Sequence, residues 1–336
     1  MESASIANLE RPGLRALIIG TGSIGQRHMR NLRAIDPAIE LVLLRRNAAP
    51  LEGWPDARVE ADLAAALALR PDLAILATPS ALHFDVLPAL LAQSIPTYVE
   101  KPIVTTAEQV AAIRRALKQF PGAAHVAGFN LRLLPSLEDA RQAIQQGDLG
   151  QIVRASFSAG QWLPDWRKGQ DHRQGYSARS SDGGGVLFDL SHEFDAARFL
   201  LGEMSLLHTA TARVGALEID SEGVAIATAR TATGALVSVN LDYVARYPIR
   251  RYELVGTEGT LTWDLPAKSL FRRGPDGRAD LSEDPRDFDV AATYQTAMQA
   301  FLAGARTGLA SGLQDLEDGL RSTELSIIAH AMDVTT

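Results

Sequence analysis

The segment Gly20-Thr21-Gly22-Ser23-Ile24-Gly25 constrains this chain more than any other feature of its sequence. It stands between an apolar run of strand length, residues 14–19, and a helical pattern that begins at Ile24. In such a turn the first glycine permits a tight reversal, the second lets the backbone approach a pyrophosphate, and the third lets helix and strand pack closely. The pattern predicts a Rossmann-type dinucleotide site at the helix start, formed by Gly20, Gly22, Ser23, Ile24 and Gly25.

Short apolar runs alternate with helical patterns through the first third of the chain. The predicted strands are residues 14–19, 40–44, 73–78, 97–101 and 124–128. The predicted helices are residues 24–34, 62–69, 82–93 and 105–118. Strands that alternate with helices need crossover connections, so this order predicts an α/β fold with a doubly wound parallel sheet.

The pattern changes after residue 128. A helix near 135–146 and a strand at 152–159 precede a helix at 186–201, about six strands between 206 and 271, and helices near 290–307 and 313–332. This order predicts a second α/β domain with a mixed, largely antiparallel open sheet. We expect a Rossmann domain at residues 1–127 and a substrate-binding and oligomerisation domain at 128–336, because 336 residues suit two cores.

Composition excludes several classes of function. The net charge of −7 argues against a general nucleic-acid or membrane-surface binder, since both need a basic face. The chain has no cysteine, which rules out disulfides and thiolate chemistry, and its histidines lack metal-ligand spacing, so no metal is expected. The N-terminal residues do not follow the signal-peptide pattern, which predicts a cytoplasmic location.

The end of the second predicted strand bears on the choice between NAD and NADP. NAD enzymes commonly place Asp or Glu there, about 20 residues beyond the glycine turn, to bind the ribose. This chain has Arg45 and Arg46 instead, and guanidinium groups suit the 2′-phosphate of NADP. The sequence therefore favours NADP over NAD. In the alternative interpretation the two arginines are solvated, or stack on the adenine without choosing between cofactors.

Several further motifs occur together along most of the chain. They are Thr78-Pro79-Ser80 with His83, Glu100-Lys101-Pro102, Gly128-Phe129-Asn130 with Arg132, and Gly183-Gly184-Gly185 ahead of Asp189, His192 and Asp195. As a set they resemble the Gfo/Idh/MocA family, which includes glucose–fructose oxidoreductase and inositol dehydrogenase. The resemblance implies a Rossmann domain followed by an α/β domain whose open sheet often forms the oligomer interface, and hence a homodimer or homotetramer.

The resemblance also implies roles for individual residues. Lys101 would lie between nicotinamide and substrate, the helix histidine would be the acid/base, and the cofactor site would be lined by Thr78, Pro79, Ser80, His83 and Glu100. The chemistry agrees, because hydride removal from a secondary alcohol needs a base for the hydroxyl proton and imidazole has an ordinary pKa of about 6.5. A neighbouring lysine stabilises the developing alkoxide.

The identity of the base depends on alignment. Many family members have the helix aspartate and histidine four residues apart, whereas Asp189 and His192 are three apart. Residues 192–202 fit the family without a gap if His192 is the base; matching from the glycines instead puts Glu193 in that place. We favour His192. A spacing of three would place Asp189 and His192 on one helix face, where Asp189 orients the substrate or tunes the histidine.

The segment 161–179 is predicted to contact the substrate because it leads into the triple glycine. Aromatic faces stack on sugar rings, and guanidinium groups bind carboxylate or phosphate. Its aromatic and basic residues are Trp162, Trp166, Arg167, Lys168, His172, Arg173, Tyr176 and Arg179. The full set of predicted substrate contacts is Lys101, Asn130, Arg132, Trp162, Arg173, Tyr176, Arg179, Asp189 and His192. Alternatively, the segment is a solvated loop whose arginines pair with Asp165, Asp171 and Asp182.

These features predict an NAD(P)-dependent oxidoreductase that moves a hydride between nicotinamide and a secondary alcohol or ketone of a sugar, nucleotide sugar or polyol, with an anionic sugar as one candidate. The expected partner is a small molecule, with no nucleic acid and no membrane. Two alternatives stay open: a redox-assisted sugar lyase or glycosidase that recycles its cofactor, and a non-catalytic dinucleotide-dependent regulator. The presence of both Lys101 and His192 disfavours the regulator.

Overall fold

A computed structural model of the chain describes residues 13–167, 169–308 and 312–332. Lys168, which the sequence analysis places in the substrate segment, lies outside the described residues. The described residues form two β-sheets with helices packed against them.

The first sheet is parallel and has six strands. They are β1 (Arg15–Ile19), β2 (Glu40–Leu44), β3 (Arg58–Glu60), β4 (Leu73–Leu76), β5 (Thr97–Val99) and β6 (His125–Ala127). Their spatial order is β3-β2-β1-β4-β5-β6, the order of a Rossmann fold. The chain reverses direction across the sheet at β1, so the carboxyl ends of β1 and β4 border the crevice where such folds bind ligands. The predicted parallel sheet is confirmed; β3 was not predicted.

Four helices connect these strands: α1 (Ser23–Ile35), α2 (Leu63–Ala68), α3 (Leu87–Ala92) and α4 (Ala107–Gln119). Side chains cap two of them as the sequence suggests, since Asp62 accepts from the Ala65 N–H and Thr106 from the Gln109 N–H. The predicted helix at 82–93 is wrong in its first turn. A 3₁₀ turn covers Ser80–Leu82, and α3 begins only at Leu87.

The second sheet has eight strands and is mixed. They are β7 (Ile152–Gly160), β8 (Met204–Ala212), β9 (Val224–Thr231), β10 (Leu236–Asp242), β11 (Ile249–Gly256), β12 (Thr260–Asp264), β13 (Ser269–Gly274) and β14 (Gly277–Ser282). Their spatial order is β14-β13-β12-β11-β7-β10-β9-β8, and every pair except β7–β10 is antiparallel. The predicted mixed, largely antiparallel sheet is therefore confirmed.

Five helices accompany this sheet and return to the first one. They are α5 (Pro135–Gln145), α6 (Val186–Asp189), α7 (His192–Leu201), α8 (Val290–Thr307) and α9 (Leu316–Met332). The core under the second sheet includes α5, α6 and α7. In contrast, α8 buries Met298 and Phe301 against the Rossmann strands, and α9 contributes Leu320 to one Rossmann core and Leu325 to the core of the second sheet. The last two helices thus bind the two sheets together.

The helix predicted at 186–201 is interrupted. Between α6 and α7, the Ser191 N–H bonds to the Phe188 carbonyl and the Glu193 N–H to the Leu190 carbonyl, so the i to i−4 pattern is lost. Asp189 ends one helix and His192 begins the next. The prediction that these two residues share a face of one continuous helix is therefore wrong.

A buried ionic network anchors α7. The Asp195 carboxylate is 1% exposed and accepts two hydrogen bonds from Arg132 and one each from Gln314 and Ser322. Arg198, one turn further along α7, bonds to Asp318 at 2.7 Å. The network fixes α7, and therefore its first residue His192, relative to α9.

Candidate active site

One cavity of about 600 Å³ borders the carboxyl ends of the Rossmann strands. It joins the glycine turn after β1, the loop after β4 and the residues that follow β5. The sequence-predicted residues that line it are Gly20, Gly22, Ser23, Ile24, Thr78, Pro79, Ser80, Glu100, Lys101 and Tyr176. Residues far apart in the sequence therefore meet at one site.

The glycine turn has the shape that a pyrophosphate requires. A Cβ atom on Gly20, whose φ is +92°, would lie 2.6 Å from the Ala77 carbonyl oxygen, and one on Gly25 would lie 2.1 Å from the Gly20 carbonyl oxygen. Gly20 and Gly25 are therefore needed for packing. At Gly22 the space is open, because no heavy atom lies within 4 Å of a Cβ built there. Gly22 lies directly ahead of α1, where N–H groups and the helix dipole favour an anion, so the turn fits a dinucleotide.

His83 supports the loop after β4 from behind. Its ring is fully buried, with Nε2 3.0 Å from the Thr78 carbonyl oxygen and Nδ1 3.1 Å from the Ile103 carbonyl oxygen. It does not line the cavity. Its contacts hold the Thr78 backbone in place, while Thr78, Pro79 and Ser80 face the cavity.

Glu100 has a buried partner that the sequence analysis missed. His28, on α1, is fully buried, and its Nε2 lies 2.6 Å from Oε1 of Glu100. This contact connects the helix that starts at the glycine turn to the residue that precedes Lys101. A histidine beside the buried Met29 and Leu32 on an otherwise apolar helix face was the available signal.

Lys101 links the Rossmann sheet to the break between α6 and α7. Its Nζ donates a hydrogen bond to the backbone carbonyl of Asp189. Burial lowers the pKa of the Lys101 amine, and the nearby carboxylates of Asp189 and Glu100 oppose that shift. The Asp189 carboxylate accepts a hydrogen bond from the Tyr243 hydroxyl at 2.6 Å, and it is also hydrogen-bonded to Tyr176.

His192 is a buried, neutral base candidate. It is 8% exposed, and within the described residues its Nδ1 has no hydrogen-bond partner. Burial holds the pKa of the imidazole well below its usual value of 6.5, and the positive charges of Lys101 and Arg250 act in the same direction. A neutral ring beside a lysine is suited to accept a proton.

Glu193, the alternative base, is engaged elsewhere. Its side chain is fully buried, and Oε1 lies 2.7 Å from Nε of Arg250 and 3.1 Å from the Tyr252 hydroxyl. A buried carboxylate that is paired with a guanidinium is fixed in position and is not free to accept a proton from a substrate. This geometry favours the alignment that makes His192 the base.

Asn130 and Arg132 lie beside the site and contact other protein groups. Asn130 Nδ2 donates to the Thr293 hydroxyl at 2.6 Å, and Arg132 is held by Asp195 and Asp318 at 2.7 and 2.9 Å. Neither lines the large cavity. Their contacts describe a framework around the site, and a direct substrate role for them stays a prediction.

The arginines of the segment 161–179 differ in their partners. Arg173 pairs with Asp171 and Glu218 at 2.9 and 2.6 Å, and Arg179 pairs with Asp182 at 2.7 Å. These contacts match the alternative in which the loop arginines pair with acidic neighbours. Trp162 lies under Arg246, whose guanidinium carbon is 3.6 Å from the ring centroid. Of the predicted substrate contacts in this segment, Tyr176 lines the cavity.

Arg45 and Arg46 lie next to the glycine turn. The Gly20 N–H bonds to the carbonyl of Leu44, the residue before Arg45. Arg46 is exposed and Arg45 half-buried. Both side chains therefore lie at the end of the sheet where the dinucleotide turn is found.

Other cavity residues had no local signal in the sequence. Arg27 and Tyr294 meet across α1 and α8, with the Arg27 guanidinium carbon 4.6 Å from the Tyr294 ring centroid. Gln170 also lines the cavity, as does Arg167, which the sequence analysis named in the segment 161–179. Within the described residues, no three His, Cys, Asp or Glu side chains are grouped as a metal site would require. No helix in that part of the chain is both long and apolar enough to cross a membrane.

The Rossmann strand order, together with a glycine turn and a lysine on one cavity wall, defines a dinucleotide-binding oxidoreductase. Residues 14–127 match the family described as "Oxidoreductase family, NAD-binding Rossmann fold", and residues 137–262 match the "GFO/IDH/MocA C-terminal domain". The chain belongs to the GFO/IDH/MocA family of oxidoreductases, as its motifs predicted.

Relatives of the chain include named dehydrogenases. It is 28% identical to an inositol 2-dehydrogenase of Mycolicibacterium smegmatis over 91% of this chain and 88% of that protein. It is 30% identical to one of Rhizobium meliloti over 56% of each chain, about half of that relative's length. The WlbA dehydrogenase from Bordetella pertussis, crystallised with NADH and UDP-GlcNAcA, has the same fold: its TM-score is 0.79 at 20% identity, over 95% of this chain and 96% of that one.

Replacing Gly22 by Asp tests whether the glycine turn binds the dinucleotide. We expect Gly22→Asp to abolish dinucleotide binding because the carboxylate would enter the open space and repel a pyrophosphate. Since a Cβ meets no atom there, the thermal midpoint without ligand should stay nearly unchanged. The control is Gly215→Asp, which also adds a carboxylate where a Cβ has open space. Calorimetric titration with NADH and NADPH measures the effect, and unchanged affinity in Gly22→Asp would show that the turn is not the binding site.

Proposed function

We propose that the protein transfers a hydride between a nicotinamide cofactor and a secondary alcohol or ketone of a sugar, nucleotide sugar or polyol. One observation carries the proposal: the glycine turn, Glu100 and Lys101 line a single cavity that Tyr176 of the second domain also lines. The dehydrogenase names of the relatives support this substrate class. We also propose residue 128 as the domain boundary, with α8 and α9 joining the two parts.

The cofactor would supply the hydride acceptor or donor. Gly20, Gly22, Ser23 and Ile24 would hold its pyrophosphate, and Thr78, Pro79, Ser80 and Glu100 would line the remainder of its site. The chain's own groups then handle the proton. His192 would accept it from the substrate hydroxyl in the oxidative direction, because its ring is neutral and Nδ1 is available.

Lys101 has a complementary role. Its ammonium group, held by the Asp189 carbonyl, would donate a hydrogen bond to the substrate oxygen and stabilise negative charge that develops there. Asp189 is a positioning residue, because its carboxylate is hydrogen-bonded by Tyr243 and Tyr176 and its carbonyl orients Lys101.

Substitution of the two proton-handling residues tests these roles. We expect Lys101→Ala and His192→Ala each to lower kcat by about 10²–10⁴-fold, the usual contribution of a positioned proton-transfer group. Cofactor affinity should stay close to that of the wild type. The control is Lys118→Ala, which removes an exposed lysine at the end of α4.

Glu193→Gln distinguishes the two alignments in the same assay. In the wild type the Glu193 carboxylate pairs with Arg250, so we expect the variant to be less stable and its folded fraction to have a nearly normal kcat. If Glu193→Gln loses kcat strongly and His192→Ala does not, Glu193 is the base and our assignment is wrong.

The pH dependence of alcohol oxidation follows from the two shifted groups. His192 acts as a base only when neutral, and its pKa lies well below 6.5, so kcat/KM should fall on acidification only below pH 6.5. Lys101 acts when protonated, and its pKa is lowered from 10.5, so the alkaline decline should begin below pH 10.5. Profiles of wild type and His192→Ala measure this. An acid limb that remains unchanged in His192→Ala would contradict the assignment.

A preference for NADP is our proposal for Arg45 and Arg46. We expect the double variant Arg45→Ala, Arg46→Ala to raise KM for NADP at least tenfold, because the 2′-phosphate would lose its guanidinium partners, and to change KM for NAD much less. Arg30→Ala, an exposed arginine on α1, is the control. A tenfold preference of the wild type for NAD would overturn the proposal.

We propose that the outward face of the second sheet forms a dimer or tetramer interface. Its inner face is buried against helices, whereas Ile226, Leu236 and Ile249 are 45–50% exposed on the outer face. Asn240 bonds to Ser156 and Ser158 on the same face, and Arg154 pairs there with Glu253, so the face combines exposed apolar side chains with polar ones. Light scattering at micromolar concentration should give the mass of two or four chains, and Leu236→Asp should lower it. The mass of one chain for the wild type would reject the interface.

Two other activities make different predictions on the same sugar panel. A lyase or glycosidase that recycles its cofactor would convert substrate without net change in nicotinamide absorbance. A dinucleotide-dependent regulator would bind cofactor and turn over no sugar. We favour the oxidoreductase because Lys101 lies on the wall of the cavity.

We also propose that the substrate carries an anionic group. Besides Arg27, which is close to the glycine turn, the described lining of the cavity includes Lys101 and Arg167, and its carboxylate, Glu100, is already partnered by His28. A neutral sugar does not need a second cation beside Lys101.

A further inference from the structure

Arg167 differs from the other arginines of the segment 161–179. Arg173 and Arg179 are each held by acidic neighbours at 2.9 Å or less. Within the described residues no ion pair to Arg167 is found. Its guanidinium carbon instead lies 5.2 Å from the centroid of the Tyr176 ring, a cation–π contact that leaves the edges of the guanidinium available.

Arg167 lines the same cavity as Lys101. Gln170 and Tyr176, which like Arg167 belong to the second domain, line it too. Tyr176 is hydrogen-bonded to Asp189, and the Asp189 carbonyl accepts from Lys101. A continuous series of contacts therefore connects Arg167 to the proposed point of proton transfer.

The two arginines that line the cavity differ in their position. Arg27 is on α1, five residues after Gly22, and stacks on Tyr294 of α8. It therefore belongs with the glycine turn, which would receive the two negative charges of a pyrophosphate. Arg167 comes from the second domain and is not part of the glycine turn, so a dinucleotide bound at that turn leaves the charge of Arg167 uncompensated.

We propose that Arg167 is the specificity-determining residue that binds an oxyanion of the substrate, either the carboxylate of a sugar acid or the phosphate of a sugar nucleotide. The inference rests on the proposed oxidoreductase function of the same cavity. Stacking on Tyr176 fixes the plane of the guanidinium, and a fixed fork binds carboxylate or phosphate with two parallel hydrogen bonds. Gln170, which lines the same cavity, adds an amide donor.

The test compares ligands that share one hexose and differ in the anionic group that it carries. Each set contains a neutral hexose, the matching hexuronate, the hexose 1-phosphate and the UDP-hexose. KM and kcat are measured for the wild type, for Arg167→Met and Arg167→Lys, and for the control Arg173→Met, which removes an exposed and paired guanidinium. The hexuronate arm and the phosphate arms distinguish the two sources of the oxyanion.

We expect one anionic member of a set to have a kcat/KM at least tenfold above its neutral counterpart. Arg167→Met should raise KM for that substrate at least tenfold, with kcat within threefold and the neutral hexose unaffected. Arg167→Lys should restore part of the loss, because it keeps the charge without the fork. Arg173→Met should change nothing. A wild type that prefers the neutral hexose, or an Arg167→Met variant that raises KM for both members equally, overturns the inference.

Ligand-induced change in thermal midpoint separates this inference from the proposed function. It is measured with NAD(P)H bound, for hexuronate, inorganic phosphate and neutral hexose. An anion that stabilises the wild type but not Arg167→Met supports the anion site. If in addition no sugar is turned over, the oxidoreductase proposal is wrong while the anion site stands. Efficient oxidation of neutral sugars, with no effect of any anion on the thermal midpoint, supports the oxidoreductase proposal and overturns the role of Arg167. No shift with any anion and no preference in turnover also overturns it.

Discussion

The geometry of the site depends on the hydrogen bond from Lys101 to the Asp189 carbonyl. In a continuous helix that carbonyl would accept from the Glu193 N–H, four residues later. At the interruption between α6 and α7, the Glu193 N–H donates to the Leu190 carbonyl instead. The Asp189 carbonyl oxygen therefore accepts a hydrogen bond from Lys101. The same interruption makes His192 the first residue of α7, where the positive end of the helix dipole, like the charge of Lys101, disfavours a protonated ring. One local break thus orients the lysine and keeps the histidine neutral.

The ion-pair partner of a buried charged side chain indicates its role. Side chains with such a partner hold the structure around the site, and those without one are available for chemistry. Asp195 is surrounded by Arg132, Gln314 and Ser322, so its charge is compensated in place and holds α7. Glu193 is paired with Arg250 in the same way, and Glu100 is hydrogen-bonded to His28. Removal of one member of such a pair leaves an unpaired buried charge, which is strongly destabilising. Lys101 and His192 lack a side-chain ion pair among the described residues, and their proton affinities are lowered by burial.

Short-range sequence patterns correctly predicted the helices, strands and turns that depend on neighbouring residues only. The glycine turn, β2 and α8 lie where the sequence places them, because apolar period and capping residues act within one element. β3 has three residues and no run long enough to show a pattern. The helix break was missed for a different reason: the carbonyl that it frees is bonded to a lysine 88 residues earlier in the chain, which no local pattern contains. Tyr294 and His28 reach the site only through packing of α1 against α8, which no local window contains.

The arginines of the segment 161–179 show what composition alone leaves open. All of them are equally suited to bind an oxyanion by residue type, and the sequence analysis named Arg173 and Arg179 among the predicted substrate contacts. Proximity along the chain does not account for acidic neighbours, and Asp171, Glu218 and Asp182 take up both guanidinium groups at the surface. An exposed pair of this kind contributes little to stability, but it occupies the hydrogen-bonding groups of the guanidinium. Arg167 stacks on an aromatic ring instead, so it keeps its donors and faces the cavity. The partner that each cation finds in the fold, rather than its position in the sequence, decides which of them is available to a substrate.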